Sequence, residues 1–96
     1  MSIAATFEAL GDANRRQILA YLAAGEAPVS EIADQFNVSL AAISQHLKVL
    51  RDAGLVSVRS RAQQRLYTLT SPALAEAASW LIGLAEKAVA AQMADS

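Results

Sequence analysis

The feature that most constrains the fold is a change in the spacing of apolar residues at Gly54. Residues 40–53 predict a helix with one apolar stripe, because four apolar side chains recur at positions i, i+3, i+7 and i+10. These side chains are Leu40, Ile43, Leu47 and Leu50. Residues 55–59 and 66–70 alternate apolar and polar side chains, which predicts two strands, and the polar residues 60–65 predict a hairpin tip.

The first part of the chain predicts two shorter helices. Residues 3–10 carry apolar side chains at helical spacing, and Asp12 is a typical N-cap for a second helix that ends near Ala24. Gly25 is expected to end that helix at the C′ position. Residues 27–29 are expected to be extended, because a residue before proline avoids the helical region.

Two further predicted helices form a helix-turn-helix. Ser30 is expected to cap a third helix over residues 31–36, and Asn37 is expected to turn the chain in the left-handed conformation. Ser39 is a typical N-cap for the helix that follows. In a helix-turn-helix with such a short connection, the second helix enters the major groove of DNA.

A long, alanine-rich helix is predicted at the end of the chain, with Pro72 at its first position and an end near Met93. Its apolar side chains need a surface to pack on, and the identical helix of a second copy is the natural candidate. The residues expected at such a dimer interface are Ile3, Phe7, Leu74, Ala77, Trp80, Leu81 and Leu84.

The charges are unevenly distributed along the chain. The formal net charge is −1, yet residues 39–70 hold five basic residues and one acid, which gives this segment a charge of +4. A local field matters more than net charge for contact with phosphates. The segment therefore indicates nucleic-acid binding, and a merely solvated surface is the alternative reading.

The helix over residues 40–52 has the side chains to read DNA. Gln45 and Ala41 fall opposite the apolar stripe, and glutamine can bond adenine through two hydrogen bonds. The residues expected near bases are Ser39, Ala41, Ser44, Gln45 and His46. The residues expected on phosphates are Lys48, Arg51, Arg59, Arg61, Arg65 and, from the second helix, Arg16. An ordinary surface helix of a bundle is the alternative.

Several classes of protein are excluded by composition. The chain has no cysteine and one histidine, which excludes disulfides, thiolate sites and multi-histidine metal sites within one chain. No catalytic motif is present, so an enzyme is not expected, and no cofactor is predicted. The sequence shows neither a signal peptide nor a membrane span, and the chain is expected in the cytoplasm.

Three segments resemble the ArsR/SmtB family of winged-helix repressors: residues 7–19 (FEALGDANRRQIL), 44–56 (SQHLKVLRDAGLV) and 65–69 (RLYTL). The resemblance implies a fold that is mainly α with a small β-hairpin, a winged helix-turn-helix in which four helices precede two strands and a fifth helix. The resemblance covers roughly residues 5–82, and the length of the chain predicts one domain over residues 1–96.

Within that domain, the resemblance assigns the helix-turn-helix to residues 30–54 and the wing to residues 55–70. It assigns the dimerisation helices to residues 3–10 and 72–93. It also implies a homodimeric repressor that binds an inverted repeat in an operator.

The sequence departs from the metal-sensing members of that family. Residues 31–34 lack the cysteines that such members carry before the recognition helix, and the last helix offers only Glu76 and Glu86. A repressor without its own cysteine- or histidine-based metal site is therefore predicted, with an organic effector, a separate sensing protein or expression level as its signal. Two alternatives stay open: a protein-interaction module on the same fold, and a metal-responsive repressor with a Glu/His site bridging two subunits.

Overall fold

The computed structural model describes residues 2–95, so both ends of the predicted 1–96 domain lie outside it. The described residues form five helices and three strands. The helices are α1 (Ile3–Leu10), α2 (Ala13–Leu22), α3 (Val29–Asp34), α4 (Leu40–Asp52) and α5 (Pro72–Ala94). The strands are β1 (Ala27–Pro28), β2 (Val56–Arg61) and β3 (Gln64–Leu69). The predicted winged helix-turn-helix fold is confirmed.

The sheet contains one strand more than the predicted hairpin. Strand β1 pairs antiparallel with β3, through Ala27 opposite Tyr67 and Pro28 opposite Leu66, and gives the order β1-β3-β2. The expectation of extended chain was correct, but two residues are too short a segment to show a strand pattern. The hairpin tip is also shorter than predicted, because β2 and β3 extend until only Ala62 and Gln63 separate them.

N-cap side chains mark the starts of α2 and α4. The side chain of Asp12 accepts a hydrogen bond from the Arg15 backbone N–H at 3.1 Å, and Ser39 accepts one from the Ala42 N–H at 3.1 Å. Both predicted N-caps are therefore confirmed. The predicted cap Ser30 is wrong, because α3 already starts at Val29, directly after the extended β1.

Two predicted helix ends also differ from the structure. Helix α2 ends at Leu22, so Gly25 (φ 145°) lies beyond its C-cap Ala23 rather than at C′. Helix α3 ends at Asp34, two residues before the predicted end. Among residues 2–95, Ala62 (φ 55°) is the one non-glycine residue with positive φ, so Asn37 does not adopt the left-handed conformation.

The core lies where α2, α3 and α4 pack against the sheet. The α4 stripe supplies Ile43, Leu47 and Leu50, all completely buried. Leu40, the fourth predicted stripe residue, is 57% exposed, because it is the first residue of α4 and lies past the edge of this core. Burial of the other three side chains fixes which face of α4 points outward.

Helix α5 packs on α1 and then leaves the body of the domain. The rings of Phe7 and Trp80 meet edge to face with centroids 5.6 Å apart, and Ala73 and Ala77 are buried. The 23 residues of α5 span about 34 Å at ~1.5 Å per residue, which explains the elongated dimensions of 59 × 25 × 22 Å. No helix within residues 2–95 is long and apolar enough to cross a membrane.

Candidate nucleic-acid interface

The outward face of α4 is mainly polar and exposed to solvent. Ala41, Ser44, Gln45, Lys48 and Arg51 are all exposed. At ~100° per residue, Ala41, Gln45 and Lys48 lie opposite the buried stripe, and Ser44 and Arg51 lie beside it. Exposure of these side chains agrees with the predicted helical wheel. The Ser39 hydroxyl at the start of α4 is committed to its capping hydrogen bond as an acceptor, although its O–H remains able to donate.

His46 lies at the edge of this face and is half-buried. The Arg15 backbone N–H, which donates to the Asp12 carboxyl, is the main reason that the pKa of this carboxyl is lowered, and an electrostatic effect of His46 adds to it. The imidazole therefore stands near the junction of α2 and α4. Within residues 2–95 no three side chains of the metal-ligating types come together, so the structure gives His46 no set of co-ligands.

A basic groove runs between α4, β3 and the start of α3. It has a volume of about 260 Å³ and is lined by Val29, Ser44, Lys48, Arg51, Arg65 and Tyr67. Three cations and a hydroxyl thus face one concave surface, an arrangement that concentrates positive potential where a phosphate can enter. We refer to these six residues as the basic groove.

One cation of the basic groove has a partner on its own helix. The Lys48 ammonium lies 2.9 Å from the Asp52 carboxylate one turn later, and it lowers the pKa of that carboxyl. Both side chains are more than half exposed, and such pairs contribute little to stability. Lys48 is therefore able to exchange Asp52 for a phosphate.

The register of the hairpin divides the wing arginines between two faces. Arg65 pairs with Ser60, whereas Arg59 pairs with Leu66. Facing residues in an antiparallel pair share a side, and successive residues alternate. Arg65 therefore shares the side of Tyr67 and joins the basic groove, and Arg59 and Arg61 lie on the other side of the sheet.

Arg59 is held by an acid that the sequence analysis did not single out. Its Nε and Nη2 atoms donate to the two carboxylate oxygens of Glu26, each at 2.7 Å, and the Thr68 hydroxyl donates to the same carboxylate at 3.2 Å. The Arg59 hydrogen bond is the main reason that the pKa of Glu26 is lowered, and the charge of Arg61 adds to it. The Arg61 side chain itself makes no hydrogen bond or ion pair within residues 2–95.

Glu26 lies 33 residues before Arg59, and the pairing of β3 with both β1 and β2 brings the two together. The register places Glu26 next to Thr68, one position beyond the β1 pairing. The contact between Glu26 and Arg59 could not be predicted from neighbouring residues, because strand β1, which positions Glu26, was not predicted.

Arg16, the predicted contact outside this region, is engaged elsewhere. Its guanidinium donates to the Leu10 carbonyl at 2.7 Å, and the neighbouring Arg15 donates to the Ala9 carbonyl at 2.7 Å. Both side chains satisfy carbonyls at the end of α1, which is a common role for arginine at a helix C-terminus. The structure does not bring Arg16 into the basic groove.

The residues predicted at a dimer interface fall into three groups. Ile3, Phe7 and Leu74 are half-buried against their own chain. Trp80, Leu81 and Leu84 are exposed by 53%, 49% and 51%. Ala77 is 3% exposed, so it supplies packing between α5 and its own domain and has no surface to offer a partner, contrary to expectation.

Comparison with known proteins agrees with this geometry. Residues 12–58 match the profile described as "Bacterial regulatory protein, arsR family". The chain is 33% identical to the transcriptional repressor SdpR of Bacillus subtilis over 81 residues, and this match covers 84% of this chain and 90% of SdpR. It is 42% identical to the transcriptional activator HlyU of Vibrio cholerae over 64 residues, and this match covers 67% of this chain and 59% of HlyU.

Solved structures show the same fold. A possible transcriptional regulator for arsenical resistance superposes with a TM-score of 0.78 at 34% identity, over 93% of both chains. The homodimeric winged helix-turn-helix DNA-binding domain of a possible ArsR-family regulator from Mycobacterium bovis gives 0.71 at 29% identity, over 91% of this chain and 81% of that one. The chain therefore belongs to the arsR family of bacterial regulatory proteins and is a DNA-binding transcriptional regulator.

Proposed function

We propose that this protein is a homodimeric repressor that occupies an operator through α4 and the wing. The observation that carries the proposal is the basic groove, because it joins Lys48 and Arg51 of α4 to Arg65 of the wing beside the exposed Gln45. Phosphate contacts at the groove would fix the position of α4, and Gln45 would then meet base edges in the major groove.

We rank the predicted DNA contacts by whether each side chain already has a partner within the protein. Arg51, Arg61 and Arg65 make no side-chain hydrogen bond or ion pair within residues 2–95, and Lys48 has only its exposed partner. We assign these four to phosphates. Ala41, Ser44, Gln45 and, at the edge, Ser39 and His46 are assigned to the base-reading face. Arg16 is assigned to capping α1, because its guanidinium is already engaged there.

The dimer is proposed from the exposed part of α5. Trp80, Leu81 and Leu84 present apolar surface beyond the α1 contact, and a second copy of α5 would cover it. The homodimeric relative from Mycobacterium bovis supports this arrangement. A two-fold dimer with two copies of α4 predicts an inverted repeat whose half-sites lie about 10 bp, or a multiple of it, apart.

The direction of regulation and the signal are part of the proposal. SdpR is named a repressor and HlyU an activator, so the family match alone does not fix the sign. The likeness to the repressor SdpR over 90% of its length supports repression by operator occupancy. We propose that the signal comes from an organic effector, a separate sensing protein or the protein's own level.

Fluorescence anisotropy on DNA from upstream of the protein's own gene tests the proposal. Binding should weaken steeply between 50 and 200 mM salt, with a slope of log K against log salt that falls by about 0.9 for each phosphate contact removed. Arg65→Gln should lower both the slope and the affinity. Lys87→Gln on α5 is the control that removes an equal charge outside the groove, and it should leave both unchanged provided that sedimentation shows it to be as dimeric as the wild type.

The same titration separates the alternatives. Equal binding with chelator and with nickel or zinc would support a signal other than metal, whereas a metal-dependent shift would support a site bridging two subunits. Binding that Gln45→Ala combined with Arg61→Ala does not weaken, or no binding on any DNA, would contradict the repressor and favour the interaction module.

A further inference from the structure

One arginine of the wing, Arg59, is paired with an acid of its own chain. Arg59 lies in β2 two residues before Arg61, and alternation along the strand puts both side chains on one side of the sheet. The Arg61 side chain makes no hydrogen bond or ion pair within residues 2–95, whereas the Arg59 guanidinium donates to both carboxylate oxygens of Glu26 through Nε and Nη2.

A carboxylate and a phosphate bind an arginine fork in the same way, through two parallel N–H···O hydrogen bonds. The Glu26 carboxylate therefore occupies the Nε/Nη2 edge of the guanidinium and neutralises its charge, so that a DNA phosphate meets an ion pair and not a free cation. The carboxylate also accepts a hydrogen bond from the Thr68 hydroxyl at 3.2 Å, so side chains of both β2 and β3 hold it in place. The Arg59 side chain is 57% exposed, which leaves the pair open to an incoming phosphate.

We propose that Glu26 is an internal competitor of the DNA backbone that sets the affinity of this regulator by occupying Arg59. The inference rests on the proposed DNA-binding function. In the free protein the wing offers Arg61 and Arg65, and Arg59 stays paired. Removing the charge of Glu26 releases Arg59 and adds one phosphate contact per subunit.

Glu26→Gln tests the proposal in the anisotropy titration, because it removes the charge with little change in shape. One added phosphate contact steepens the slope of log K against log salt by about 0.9, which corresponds to binding about eightfold tighter per subunit at 0.1 M salt. The double variant Glu26→Gln with Arg59→Gln should lose this gain, because the released cation is then absent. Glu76→Gln, which neutralises another exposed acid on α5, should bind like the wild type.

The outcomes distinguish this inference from the proposed function. Wild-type binding decides the function, and the ratio of Glu26→Gln to wild type decides the role of Glu26. Unchanged binding by Glu26→Gln, weaker binding by it, or a gain that survives in the double variant would each overturn the competitor role. Wild-type protein that binds no DNA would overturn both.

Circular dichroism and thermal unfolding check that each variant folds. Glu26→Asp provides a second variant if Glu26→Gln does not fold, because it keeps the charge but shortens the reach to Arg59. A smaller gain in affinity in the same direction is expected from it, and no gain would overturn the proposal.

Discussion

Helices α4 and α5 both have an apolar stripe, but the two stripes differ in how far their own domain buries them. Each has large apolar side chains at helical spacing, but Ile43, Leu47 and Leu50 of α4 are completely buried, whereas Leu81 and Leu84 of α5 are about half exposed. An apolar stripe shows that something covers a helix, and it does not show whether the cover belongs to the same chain. The domain itself covers α4, and we propose that a second copy covers α5.

The largest expected effect is on α4. Leu47→Ala should lower the free energy of unfolding by about 2–5 kcal/mol, because it leaves a cavity in the core. Leu40→Ala on the same helix should change it by less than about 0.5 kcal/mol, since Leu40 is exposed. Urea denaturation measures both values. Similar losses from the two variants would contradict the assignment of the α4 stripe to the core.

The next effect concerns α5. Leu81→Glu should leave the domain folded but dissociate the dimer, because a charge then lies in the proposed interface. Loss of two-site binding should weaken operator binding by about 100-fold or more. Sedimentation equilibrium measures the mass, and anisotropy measures the affinity.

Ser79→Glu is the matched control for that variant, because it adds the same charge about 160° away around α5. It should remain dimeric and bind DNA normally. A Leu81→Glu protein that is still dimeric would contradict the placement of Leu81 in the dimer interface.

A moderate effect is expected on the outward face of α4. Gln45→Ala should reduce discrimination between the operator and the same site with one changed base pair by about 1–3 kcal/mol, because glutamine reads a base edge and not the backbone. Its affinity for unrelated DNA should stay unchanged. Competition titrations with both DNAs measure the ratio, and an equal loss on both would assign Gln45 to the backbone.

The smallest effect lies in the wing, which joins the two helices. Because Arg59 lowers the pKa of Glu26 below its ordinary value of 4.5, their pair stabilises the folded state above that pH and loses this effect as the pH falls below it. The difference in unfolding free energy between wild type and Glu26→Gln should therefore shrink as urea denaturation is moved from pH 7 to below pH 4.5. A difference that is constant with pH would argue against the ion pair in solution.

The sequence predicted what depends on neighbouring residues. Asp12 and Ser39 each cap a helix that begins at the next residue, and their contacts reach only three positions along the chain. The α4 stripe was equally legible, because three of its four members face a continuous core. The prediction that Leu40 belongs to the buried stripe was wrong, because periodicity gives the direction of a side chain but not the extent of the core.

Contacts that depend on distant pairing were not predictable. The two-residue strand β1 is defined by its partner β3, about 40 positions later, and the bond between Glu26 and Arg59 follows from that pairing. The division of the wing arginines between two faces also needed the register. The predicted DNA-contact residues therefore remain a proposal that binding experiments must rank.

Selection of binding sites from random-sequence DNA by the purified protein tests the central claim most directly. We expect enrichment of an inverted repeat with half-sites spaced by about 10 bp or a multiple of it, since two α4 helices of a dimer must enter successive major grooves. Enrichment of a single half-site would contradict the dimer, and no enriched sequence would contradict sequence-specific binding through α4.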